Sequence, residues 1–174
     1  MGETTQNIID IARELWQGRR APLSADLDLA ESALSSSESL ERIAGIMVLL
    51  ISQTNRIPVE RICAGIRDMC HLASQTSSDL FYSVTSTIVM LPEELVLQDA
   101  ILKRFMYRAL FSESSATRCN ATLMLGRLAE KGDPNSVVLL GIAKNDEDYR
   151  VAANARACLE DLARQGKPSA ADGA

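Results

Sequence analysis

Cys63, Cys70 and His71 form the one grouping in this chain whose side chains could ligate a metal or carry thiol chemistry. Cysteines seven residues apart share one face of a helix, but His71 is displaced from that face by one residue and no fourth ligand follows. His71 is the sole histidine, so a histidine pair at metal-binding spacing cannot form. A glycine-rich phosphate cradle and a nucleophile elbow are also absent from the sequence. Cys119 and Cys158 fall inside apolar helical patterns and read as small residues between helices. The expectation is a chain with no metal, no cofactor and no catalytic residue, and hence not an enzyme.

A second grouping is cationic. Arg61 and Arg67 lie on one amphipathic segment, and Lys103, Arg104 and Arg108 lie on another. Guanidinium groups make fork-shaped hydrogen bonds to carboxylates, so these five residues are the candidate protein-binding site, with an acidic segment of a partner protein as the ligand. The competing reading is a set of solvated charges paired with Glu60, Asp68 and Asp99. Residues 58–110 carry five Lys or Arg against six Asp or Glu, and the whole chain has a formal charge of −5. That balance disfavours nucleic acid and anionic membrane as partners.

Helices are the elements that must position these groups. Ile8, Ile11, Ala12 and Leu15 form an apolar stripe over residues 6–17, with Gly18 as its stop. Leu27, Ala30 and Leu34 mark a shorter helix after Pro22, and serines at 35–37 and 39 break it. Residues 38–54 are apolar nearly all round in the middle and predict the most buried helix. Pro58 opens a partner helix through Ala73, and residues 74–78 form a polar connector. Residues 79–91 carry a β-branched run, yet helical flanks favour helix there. Pro92 with Glu93 and Glu94 starts a helix expected to continue to Leu110, its apolar face including Ile101.

Toward the carboxyl end, Ser114 or Ser115 caps a helix containing Cys119, Leu123, Leu125 and Leu128, which Gly132 stops. Asp133-Pro134 starts a helix bearing Val137, Val138, Leu140 and Ile142, and Asp146 is the expected cap of a last helix through Arg164. Pro22, Pro58, Pro92 and Pro134 recur at separations of 36, 34 and 42 residues. Arg42 and Arg118 each precede a proline by 16 residues, and Arg150 follows Pro134 by the same interval. These three arginines read as repeat architecture.

The run Leu125-Gly126-Arg127-Leu128-Ala129-Glu130-Lys131-Gly132-Asp133-Pro134, followed by Val137 to Leu140, resembles a HEAT-like or armadillo-like helical repeat, as does Asp146 to Ala155. The resemblance is clearest over residues 112–164 and weaker over 22–110. With the proline rhythm it implies an all-α fold, a short right-handed α-solenoid of about four to five antiparallel helical hairpins with the last one partial. The family resemblance also implies a non-catalytic adaptor or scaffold that recognises a partner segment along the second-helix face. The alternative is a structural subunit that packs through an end or outer helical face, near residues 8–15.

Hydrophobic residues make up 47% of the chain and aromatics 4%, so the core is to be filled by aliphatic side chains. Residues 1–165 read as one helical domain and 166–174 as a flexible tail. Cysteines without a disulfide framework, and no secretory or membrane-spanning run, point to a cytoplasmic, reduced compartment, with the nucleus equally compatible. Self-association is also compatible with the sequence.

Overall fold

The computed structural model describes residues 3–53, 57–73 and 78–166. Among them the chain is all-α, with ten helices and no strand, and no helix is long and apolar enough to cross a membrane. Two compact units divide at residues 90 and 91. The expected connector at 74–77 and the tail at 167–174 lie outside the described residues.

The first unit contains α1 (Glu3–Trp16), α2 (Ser24–Ala33), α3 (Ser39–Ile51), α4 (Val59–Ala73) and α5 (Ser78–Val89). Its centre is α3, which packs against the other four helices. Ile43, Ala44, Gly45, Ile46, Val48 and Leu49 are all buried on it, because a helix apolar on several faces can satisfy several neighbours at once. Helix α2 approaches α3 closely at Gly45, where a Cβ would stand 2.8 Å from the Ala30 carbonyl oxygen and 2.9 Å from the Ala33 Cβ. The turn from α1 to α2 is tied by Arg20, which donates to Glu14 and Asp26, while the Asp26 carboxylate accepts the Leu23 N–H at 2.8 Å.

The β-branched stretch forms α5, as its helical flanks favour, and the hydroxyls explain how. Thr85 and Ser86 donate to the Tyr82 carbonyl, and Thr87 donates to that of Ser83. Each polar group is thereby satisfied within its own helix, so Thr85 and Thr87 sit at 0% exposure.

The second unit contains α6 (Glu93–Gln98), α7 (Ala100–Ala109), α8 (Ser115–Glu130), α9 (Pro134–Ala143) and α10 (Tyr149–Arg164). Helix α8 is central and packs on all four others. Ser114 is its N-cap and accepts the Thr117 N–H, while Gly132, at φ +88°, supplies the left-handed residue that ends the turn. Pro134 occupies the first turn of α9 beneath the Asp133 cap. Arg127 on α8 reaches the start of α6, donating to the Leu91 carbonyl at 2.9 Å and to Glu93 at 2.6 Å.

Three sequence expectations are corrected here. The helix expected from Pro92 to Leu110 is broken at Asp99, which is extended at φ −96°, ψ 106°. Its N–H still closes α6 on Leu95 and Val96, and its carboxylate accepts the Ile101 and Leu102 N–H groups to open α7. The cap of α10 is Asp148, not Asp146, whose carboxylate is drawn to Arg118. Finally, Ile101, Leu123, Val138 and Ile142 are 45–55% exposed despite their place in apolar patterns. Helix α9 shows why: apolar on several faces, it turns only Ser136, Val137, Leu140 and Ala143 inward.

Replacing Gly45 with Ala should destabilise the first unit by about 2 kcal/mol, because the obstructing atoms include backbone that cannot rotate away. Urea unfolding measured against the wild type checks this, with Gly65→Ala as the milder control, since only the tip of Ile46 lies near a Cβ there.

Candidate protein-binding site

The five candidate cations fall into two groups, one in each unit. On α4, Arg61 is exposed and Arg67 half-buried; on α7, Arg104 and Arg108 are exposed and Lys103 is half-buried. Arg67 and Arg108 interact with neighbouring groups. Lys103 lies 3.5 Å from the carboxylate of Asp133, so its charge faces a buried partner within the second unit. Asp99, expected as a surface counter-ion, is the α7 cap.

Asp133 is the hub of a polar cluster missed by the sequence reading beyond its role as a cap. It accepts from Tyr107 Oη at 2.5 Å, from Ser136 Oγ at 2.6 Å and from the Ser136 N–H at 3.0 Å. Burial pushes its pKa up, but hydrogen bonds from Ser136 and Tyr107 together outweigh that and hold the carboxyl below its ordinary range. Burial and the bond to Asp133 raise the Tyr107 phenol well above its ordinary value. The arrangement joins α7 to the start of α9.

The four cysteines are spread over α4, α8 and α10. Burial raises the pKa of Cys119 and Cys158, which lowers the thiolate fraction that nucleophilic chemistry needs. Cys63 and Cys70 are buried on α4, His71 is exposed at its end, and no metal-holding cluster occurs among the described residues.

Arg42 is the residue whose role changes most. It lines a pocket of about 210 Å³ together with Ile46, one turn along α3. The facing stripe of α4 contributes Arg61, Ala64, Gly65 and Asp68, at successive helical spacings, and Leu34 closes one side. The Nε of Arg42 is buried and has no hydrogen-bond partner. None of Arg42, Arg61 and Asp68 makes an ion pair among the described residues.

Arg118 stands 76 residues after Arg42, as Pro134 does after Pro58. Both arginines are four residues past the N-cap of the central helix of their unit, Glu38 or Ser114. Ahead of each, a serine hydroxyl accepts the cap residue's N–H: Ser36 to Glu38 at 3.1 Å and Ser112 to Ser114 at 3.3 Å. Arg118, 7% exposed, binds Asp146 through Nε at 2.8 Å and Nη2 at 2.9 Å, and its Nη1 donates to the Ser112 and Glu113 carbonyls. Arg150, expected in this series, instead sits two residues past its cap and pairs with Asp148 on the surface, so it is not an equivalent.

Comparison with protein-family models, with curated proteins and with solved structures finds no match to this chain. The candidate site therefore rests on its own geometry.

Hydrogen bonds from Arg118 hold the Asp146 pKa below the ordinary carboxylate range. The ionised pair stabilises the fold fully above the unfolded value near about 4, and that contribution is lost as pH falls through the lower folded value. Asp146→Asn should therefore cost about 2–3 kcal/mol near neutral pH. The gap from wild type should narrow below about pH 4, as calorimetry across a pH series will show.

Proposed function

We propose that this chain is a non-catalytic helical adaptor or scaffold that recognises an acidic segment of a partner protein. The single observation that carries this reading is that each unit exposes a guanidinium group without an ion-pair partner among the described residues, Arg61 on α4 and Arg104 on α7. Exposed forks of this kind are suited to carboxylates, whereas cations already engaged inside a fold have little left to offer a partner. Raised thiol pKa values at Cys119 and Cys158 support a role without thiol catalysis.

The HEAT-like reading, a short right-handed α-solenoid, belongs to the same proposal. It draws support from the packing of consecutive helices, α4 on α5 and α8 on α9, and from the correspondence between the starts of α3 and α8. A reducing compartment fits four cysteines that form no disulfide.

A second reading, a structural subunit that packs through an outer helical face, has its own observation in the first unit. Trp16 and Tyr82, 53% and 42% exposed, flank an open groove of about 290 Å³ whose walls include Ile9, Ala12, Leu40 and Met47. Large exposed aromatics beside aliphatic walls are features of contact surfaces.

A fluorescent glutamate-rich peptide titrated onto the protein by anisotropy tests the adaptor reading. Wild type should bind with an affinity that falls as salt rises, and Arg61→Ser with Arg104→Ser should weaken it about tenfold without lowering thermal stability. Unchanged binding in the double variant, or none in the wild type, would count against it.

A further inference from the structure

The arginine pocket of the first unit has a built-in template in the second. In the second unit, a guanidinium four residues past the helix cap takes a carboxylate on Nε and Nη2, and that carboxylate arrives from Asp146, 28 residues further along the chain. Twenty-eight residues after Arg42 the chain is still inside α4, at the buried Cys70, so that position brings no carboxylate to Arg42. The equivalent donor, Arg42 Nε, is buried without an acceptor. A buried charged N–H in that condition is costly, and a turn of the Arg42 side chain toward an incoming acceptor in the pocket recovers the lost hydrogen bond.

The surroundings differ between the units in a way that suits an outside ligand. At the same 76-residue offset, Arg61 and Asp68 correspond to Val137 and Lys144. The register therefore does not require a guanidinium at position 61, yet the first unit places one at the pocket beside Arg42. Two guanidinium groups and the single carboxylate of Asp68 leave a net charge of about +1, which matches a carboxylate better than a phosphate dianion. The remaining wall is aliphatic, with Ile46, Leu34 and Ala64 available to methylene groups.

We infer that this pocket binds the side chain of a glutamate residue from a partner protein, its carboxylate received by Arg42 and Arg61 and its methylenes lying against Ile46 and Leu34. Resting on the adaptor reading, the inference names the anchor of the acidic segment. Arg42 supplies the planar fork in the place where Arg118 shows its geometry, and Arg61 supplies a second cation at the mouth. Asp68 opposes the ligand charge and tunes affinity downward.

The test is a titration of the full chain with N-acetylglutamate N-methylamide, followed through the ¹⁵N-resolved Nε–H signal of Arg42 and the methyl signals of Ile46. The expected result is a saturable shift of both, at millimolar concentrations typical of a single small anchor. Arg61→Ala should weaken binding about tenfold and Arg42→Lys at least as much, because lysine lacks the fork, while Asp68→Asn should tighten it several-fold. Arg61 is exposed, so its variant keeps the test open should Arg42→Lys fail to fold.

No shift at Arg42 up to about 100 mM overturns the inference. So does an equal response to the glutamine analogue, unaltered affinity in Arg61→Ala, or tighter binding of inorganic phosphate than of the glutamate probe. The glutamate-rich peptide separates this from the wider reading. If the peptide binds while Arg42 Nε–H is silent toward both ligands, the pocket is overturned and the adaptor stands. If the small probe binds at Arg42 and the peptide does not bind, the pocket stands and the adaptor falls.

Discussion

A guanidinium taken out of water must find acceptors for its N–H groups, and the buried side chain of Arg118 meets that requirement with the carboxylates of Asp146 and Glu147 and two backbone carbonyls. Those acceptors belong to the segment before α8 and the segment before α10. One side chain thereby fixes where the central helix of the second unit begins and where the chain returns after α9. The remaining ties in that unit work alongside it: Arg127 holds the start of α6, and Asp133 draws together Lys103, Tyr107 and Ser136. Aliphatic burial supplies the cohesive force, but it is not directional, and these polar contacts select one arrangement of the helix ends.

The all-helical character was legible because the apolar spacing, the proline starts and the glycine stops agreed with one another. Ser114, Asp133, Pro134 and Gly132 act where local chemistry puts them, since a cap or a left-handed turn is decided by a few adjacent residues. The buried α3 was readable for a related reason: apolar residues on several faces leave a helix no stable place except between neighbours. The β-branched α5 needed its context, and what makes it a helix is hydroxyl bonding back to its own carbonyls, which no hydropathy pattern expresses.

What escaped the sequence were choices made at a distance. Asp99 interrupts a pattern that is periodic on both sides, so only the competition between continuing a helix and capping a new one reveals the break. Asp146 and Asp148 are both competent caps, and the partner that separates their roles, Arg118, lies 28 residues from the first of them. The candidate cations all lie on helices, but Lys103 faces Asp133, a pairing that spans 30 residues. Arg42 was visible only as a member of a repeat register. Its significance emerges from a buried Nε without an acceptor, which becomes meaningful once the Arg118 pair is seen.

The half-exposed Trp16 has a consequence of an optical kind. It is the only tryptophan in the chain and belongs to the first unit, beside the groove that it shares with Tyr82. Excitation at the red edge of protein absorbance therefore interrogates the first unit alone, while Tyr107 and Tyr149 in the second stay dark. The protein carries its own single-site chromophore, able to separate the melting of one half from that of the other without a label.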